Sequence, residues 1–92
     1  MTILDPAAVP RLPRGVKLRF DAVRGRHVLL APERAFGLDE AAVAVVELVD
    51  GHRSVDDIVD ALATAFAEAR EVIAADVAAM LGDLVAKRVL EI

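Results

Sequence analysis

The apolar residues of this chain change their spacing once, near Leu38–Asp39, and that change limits what the chain can fold into. Before it, Val16, Leu18 and Phe20 alternate with Lys17, Arg19 and Asp21, the period of a half-buried strand. A turn at Arg24–Gly25 leads to a second strand over Arg26 to Ala31, with Val28 and Leu30 on one face and His27 and Leu29 on the other. Pro32–Glu33 makes a tight turn, because proline presets the dihedral of the second turn position. Arg34 to Leu38 then forms a short third strand. Three short strands in series make an antiparallel meander, which needs a helical layer over one face to be stable.

Beyond Asp39 the period is helical. Asp39 caps a helix reaching to Asp50, with Ala42, Val45, Val46 and Val49 at helical spacing and Val43 and Ala44 extending the apolar surface around it. Gly51 ends that helix. Ser54-Val55-Asp56-Asp57 is a helix start: the hydroxyl accepts from a backbone amide and the carboxylates meet the positive end of the dipole. Val55, Ile58, Val59, Leu62 and Phe66 follow at i, i+3, i+4, i+7 and i+11. A third helix from about Glu71 to Arg88 buries Ile73, Val77, Met80, Leu81, Leu84 and Val85, with Lys87 and Arg88 at its negative end. The expected fold is α+β and winged-helix-like: a three-stranded antiparallel meander followed by a three-helix bundle. Residues 15–92 form one domain. Residues 1–14, with prolines at 6, 10 and 13, form an extended flexible arm.

Composition removes several function classes. There is no cysteine, so disulfides, thiolate metal sites and cysteine nucleophiles are excluded. Ser54, the sole serine, is accounted for as a helix cap. His27 and His52 have no sequence-local partner that marks a general base or a metal ligand, and Asp56, Asp57 and Asp60 read as a solvated helix face. No glycine-rich phosphate loop is present. No catalytic residue, cofactor or metal is expected. The N-terminus lacks the pattern of a signal peptide and no apolar run approaches the roughly 20 residues of a membrane span. A cytoplasmic protein without membrane contact is expected.

Charge is segregated. Residues 1–38 carry seven basic against three acidic side chains, and residues 39–92 carry four against twelve. A winged-helix nucleic-acid-binding regulator is the alternative reading of this fold, but its third helix should offer Arg, Lys, Asn or Gln to base edges. Here that helix offers Glu71, Asp76 and Asp83 among alanines. The third strand points elsewhere. If Arg34-Ala35-Phe36-Gly37-Leu38 is a sheet edge, an extended peptide can pair with its open backbone groups, and Gly37 allows a close approach.

Several runs carry a family resemblance. They are Pro13-Arg14-Gly15-Val16-Lys17-Leu18-Arg19-Phe20-Asp21, Arg24-Gly25-Arg26, Val28-Leu29-Leu30-Ala31-Pro32-Glu33-Arg34, Leu38-Asp39-Glu40-Ala41-Ala42, Asp50-Gly51-His52-Arg53-Ser54-Val55 and Ile73-Ala74-Ala75-Asp76-Val77. In this order and spacing the chain resembles the PqqD family over about residues 8–92. The resemblance implies a recognition element for a ribosomally made, modified peptide (a RiPP). It implies that the precursor peptide PqqA docks as an added strand and that the loaded complex meets the radical SAM enzyme PqqE in pyrroloquinoline quinone (PQQ) biosynthesis. Carried onto this chain, the strand side of the groove is Arg34, Ala35, Phe36, Gly37 and Leu38, and the helix side is Val72, Asp76, Val77, Met80 and Leu84. Val89 stands where family members often have glycine.

Overall fold

Leu18, Leu29 and Phe36 stand opposite one another across three antiparallel strands, and their shared face is the one the helices cover. The strands are β1 (Lys17–Asp21), β2 (Arg26–Ala31) and β3 (Arg34–Gly37), in the order β1-β2-β3. The structure, a computed structural model, describes residues 4–92. Val16, Leu18, Ala31, Phe36 and Leu38 pack on the core from this face, and Leu29 is fully buried at its centre. The opposite face carries Lys17, Arg19 and Arg26 beside half-buried Val28 and Leu30. Phe20 shares the core-side face but sits at the end of β1, where it remains 55% exposed and meets the His27 ring edge-on at 5.1 Å.

The two hairpin turns follow from single residues. Asp21 accepts from the amides of Val23 and Arg24 and from the Arg24 guanidinium, which closes the β1–β2 loop. The Arg24 guanidinium and those amides hold the Asp21 carboxyl below its usual range. Gly25 completes the loop at φ 68°, a left-handed conformation that glycine adopts without strain. In the β2–β3 turn Pro32 comes first and Glu33 takes φ 61°, the pairing a type II turn asks for.

Helix α1 spans Glu40–Val46, with Asp39 accepting from the amide of Ala42 at 2.8 Å. It is shorter than the expected Asp39–Asp50. After Val46 the chain tightens, with Leu48 donating to Val45 and Val49 to Val46. Asp50 is the physical cause: its carboxylate accepts from the amides of His52 and Arg53, both at 2.9 Å, and so competes with the helix. Those amides hold its carboxyl below the usual range.

Helix α2 (Val55–Phe66) starts in a full capping box, with Ser54 Oγ accepting from the Asp57 amide at 3.1 Å and Asp57 accepting from the Ser54 amide at 2.9 Å. Its apolar stripe is buried from Val55 to Leu62, but Phe66 projects past the core and is 56% exposed. Ala67 ends the helix at φ 51°. Helix α3 (Arg70–Ala86) buries Ile73, Val77, Leu81 and Leu84, while Met80 and Val85 are half-buried. Arg70 ties α3 to α2 by forking between Asp60 (2.7 Å) and Asp56 (2.5 Å), which raise its pKa above the ordinary value. Past α3, Arg88 turns the chain at φ 62°, and Val89, fully buried, donates to the carbonyl of Leu84.

From Leu4 onward the N-terminal segment, expected to be a flexible arm, lies against the domain. Pro10 is fully buried and Leu4, Ala8 and Leu12 pack on the core. The proline-rich stretch has few backbone donors but keeps its acceptors. The carbonyls of Ala8 and Pro6 take the amides of Val55 and Asp56, which α2 itself cannot satisfy. Arg11 and Glu91 then exchange both backbone bonds at 2.9 Å, an antiparallel bridge between the two ends of the chain. Residues 1–3 of the expected arm lie outside the described residues.

Replacing Ser54 by alanine should cost about 1 kcal/mol, through loss of one half of the capping box. For a domain of this size that lowers the thermal midpoint by about 4–8 °C. A calorimetric scan of Ser54→Ala checks this, and an unchanged midpoint would show that the cap carries no stability.

Candidate functional site

One edge of the sheet is β3, and the direction of its open backbone groups follows from the ladder. Leu38 donates to the carbonyl of His27 at 3.0 Å. In an antiparallel ladder, residues alternate between facing the partner strand and facing away. The register pairs Leu29 with Phe36 and Ala31 with Arg34, so Arg34, Phe36 and Leu38 direct their amides and carbonyls at β2. Ala35 and Gly37 therefore direct theirs outward, at the free edge.

Opposite that edge lies the C-terminal half of α3. Between the two is a groove of about 410 Å³, lined by Ala35, Phe36, Gly37 and Leu38 on one side and by Met80, Asp83, Leu84 and Lys87 on the other. The start of α1 contributes Asp39 and Ala42. The walls are joined at one end. Arg34 donates to the carbonyl of Lys87 at 2.8 Å, and its guanidinium also lies 5.5 Å from the centre of the Phe36 ring. Lys87 approaches the same ring at 5.7 Å and is held by Asp83 at 2.5 Å. The open end lies toward Gly37 and α1.

The residues proposed from the sequence divide into four groups. Ala35, Phe36, Gly37, Leu38, Met80 and Leu84 meet in this groove. Asp76 and Val77, again with Met80, line an adjoining cavity between α1, α2 and α3. Val72 lines neither and is 49% exposed on α3. The Arg34 side chain is spent on joining the walls. At Gly37 an added Cβ would meet the Arg26 guanidinium, which lies across the outer face at that position. The absence of a side chain makes room for Arg26. Asp83 and Lys87 were not assigned to the groove from the sequence, although they fall at helical spacing from Met80 and Leu84 and so belong to the same face.

The ionic chemistry is all superficial. No polar or charged side chain is buried among the described residues, and no three His, Cys, Asp or Glu side chains there stand together as a metal site. The shifted groups Asp21, Asp50 and Arg70 have structural partners away from the groove. No helix among the described residues is long and apolar enough to cross a membrane. The site offers backbone hydrogen bonds and apolar surface, the means by which a domain recognises an extended chain.

Fold and site together define a small winged-helix-like α+β recognition domain with an open strand edge facing a helix. Comparison with known proteins makes the class specific. Residues 26–90 match the family of Coenzyme PQQ synthesis protein D (PqqD), and the chain belongs to that family. It is 51% identical over 84 residues to a PqqA binding protein of Rhodopseudomonas palustris, covering 91% of this chain and 82% of that protein. It is 53% identical over 90 residues to the bifunctional coenzyme PQQ synthesis protein C/D of Methylorubrum extorquens, covering 98% of this chain but only 24% of that longer protein. Among solved structures, the PqqD truncation of Methylobacterium extorquens PqqCD, described as a functional and stand-alone RiPP recognition element, superposes with a TM-score of 0.84. The identity there is 53%, over 99% of this chain and 97% of that one. PqqD from Xanthomonas campestris superposes with a TM-score of 0.62 at 36% identity, over 98% of this chain and all of that one.

Arg34→Ala should free the end of α3. The amides of Arg88 and Val89, which bond back to Val85 and Leu84, should exchange with solvent faster. Global stability should fall by about 0.5–1.5 kcal/mol, the net worth of a hydrogen bond. Unchanged exchange at both amides, measured by NMR, would show that the Arg34 contact does not hold the helix end.

Proposed function

We propose that this chain is a peptide chaperone that does no chemistry itself. It binds the ribosomal precursor peptide PqqA as a fourth strand along β3 and presents it to the radical SAM enzyme PqqE in PQQ biosynthesis. Relatives named as PqqA binding proteins support the choice of peptide, at 44–53% identity over nearly the whole chain. Because the precursor is a ribosomal product met before modification, the encounter belongs in the cytoplasm.

The observation that carries this reading is the pair of outward-facing residues Ala35 and Gly37, set beside the apolar wall of Met80 and Leu84. Each residue offers one donor and one acceptor to an incoming backbone, and alternate side chains of the added strand then point into the groove. Affinity comes from the backbone bonds and selectivity from the side chains. We assign the contact to Ala35, Phe36, Gly37, Leu38, Asp76, Val77, Met80 and Leu84, and leave Val72 out because it lines neither the groove nor the adjoining cavity. A duplex-binding role is disfavoured by the exposed Glu71, Asp76 and Asp83 of α3, which repel phosphates.

Ala35→Pro tests the strand-addition geometry, since it deletes one outward amide without touching the Arg26 packing at Gly37. The PqqA peptide should bind about three- to tenfold more weakly, the equivalent of one hydrogen bond. NMR titration of the unmodified protein with that peptide should shift the amides of Ala35 and Gly37 together with those of Met80 and Leu84. Equal affinity of the variant, with shifts confined to other surfaces, would remove β3 as the docking edge.

A further inference from the structure

We propose that the cavity between the start of α1, the end of α2 and the first half of α3 is a second subsite. It takes a bulky apolar side chain of the bound peptide that has a lysine or arginine beside it. This rests on the reading of β3 as the docking edge and extends it around Met80.

The cavity has a volume of about 460 Å³, within the range of sites that hold a small molecule or a large side chain. Its floor is made by Val45, Leu62, Ile73 and Val77, core residues whose outer surfaces would otherwise be closed over. Phe66 forms a wall. It continues the apolar stripe of α2 by sequence, yet more than half of its surface is left in water. An aromatic ring left in water beside an apolar hollow is a surface that gains by being covered.

The rim has one sign of charge. Glu40 from α1, Glu68 from the α2–α3 connection and Asp76 from α3 converge on the opening, and no basic side chain lines it. Among the described residues none of the three makes an ion pair, whereas Asp21, Asp50, Asp56, Asp60, Asp83 and Glu91 all do. Arg70, the basic residue next in sequence to this connection, is held by Asp56 and Asp60. An apolar hollow ringed by three unpaired carboxylates complements an apolar side chain flanked by a cation, whose methylene stem can also lie on apolar surface.

Continuity with the groove identifies the occupant. Met80 lines both spaces, and the first turn of α1 gives Asp39 and Ala42 to the groove and Glu40 and Ala41 to the cavity. β3 runs from Arg34 toward α1, so a strand added antiparallel, as in the rest of this sheet, has its N-terminal end at Gly37. The residues just before the added strand thus reach the cavity. The predicted ligand is a peptide with a large apolar residue and a lysine or arginine N-terminal to its strand-forming segment.

The test is titration with synthetic PqqA peptide, read at the methyl groups of Leu62 and Ile73 and at the amides of Ala35 and Gly37. Both sets should shift together. Ala41→Phe, at an exposed position, fills the opening and should weaken binding about tenfold while the Ala35 and Gly37 shifts at saturation persist. Glu40→Gln combined with Glu68→Gln should weaken it about threefold at low salt and flatten its salt dependence. If the β3 amides shift while the methyl groups stay put and Ala41→Phe binds normally, the cavity is no subsite although β3 still docks the peptide. If neither set moves, the strand-addition reading fails and this inference falls with it.

Discussion

A three-stranded sheet is too small to be stable unless one face is kept dry, and here that task centres on Leu29. It is the one strand residue among those described that is fully buried, and it lies on the central strand between Leu18 and Phe36. The helices contribute Ile58, Val77 and Leu81 to the same core, themselves nearly inaccessible. Everything functional is displaced from this point by one strand. Because β2 supplies the anchor, β3 is left with one side on the core and the other edge open. The groove exists because α3 also packs on that core and ends beside β3.

Much of this was legible in the residues. The alternation of Val16, Leu18 and Phe20 and the Pro32–Glu33 turn place the meander, and Ser54 with Asp57 places the start of α2. The differences have local causes. A carboxylate at Asp50 can serve a helix or a turn, and periodicity does not reveal which backbone amides it will take. Phe66 and Phe20 obey the correct period but lie at the ends of their elements, beyond the reach of the opposite layer. Docking of the N-terminal segment depends on carbonyls that meet the free amides of α2 in space, a pairing without a sequence pattern.

The site was partly legible for the same reason. The third strand was identifiable as an edge because it is short and last in the meander. Which of its residues face outward depends on ladder phase, which the Leu38–His27 bond reveals. On the helix, four-residue steps accumulate a rotation of about 40° each. Met80 and Asp76 are therefore still near the groove, whereas Val72, two steps from Met80, has turned away from it. Arg34 joins the walls of the groove and Gly37 leaves room for Arg26, contacts across the fold that no spacing in the sequence announces.

The bridge between Arg11 and Glu91 fastens the last residues of the chain to the segment that runs ahead of the sheet. The same segment, through the carbonyls of Pro6 and Ala8, satisfies the first amides of α2. Lifting residues 6–11 off the domain therefore uncaps α2 and releases Glu91 in a single event. Two places far apart in the sequence thus share one fastening, and they loosen together.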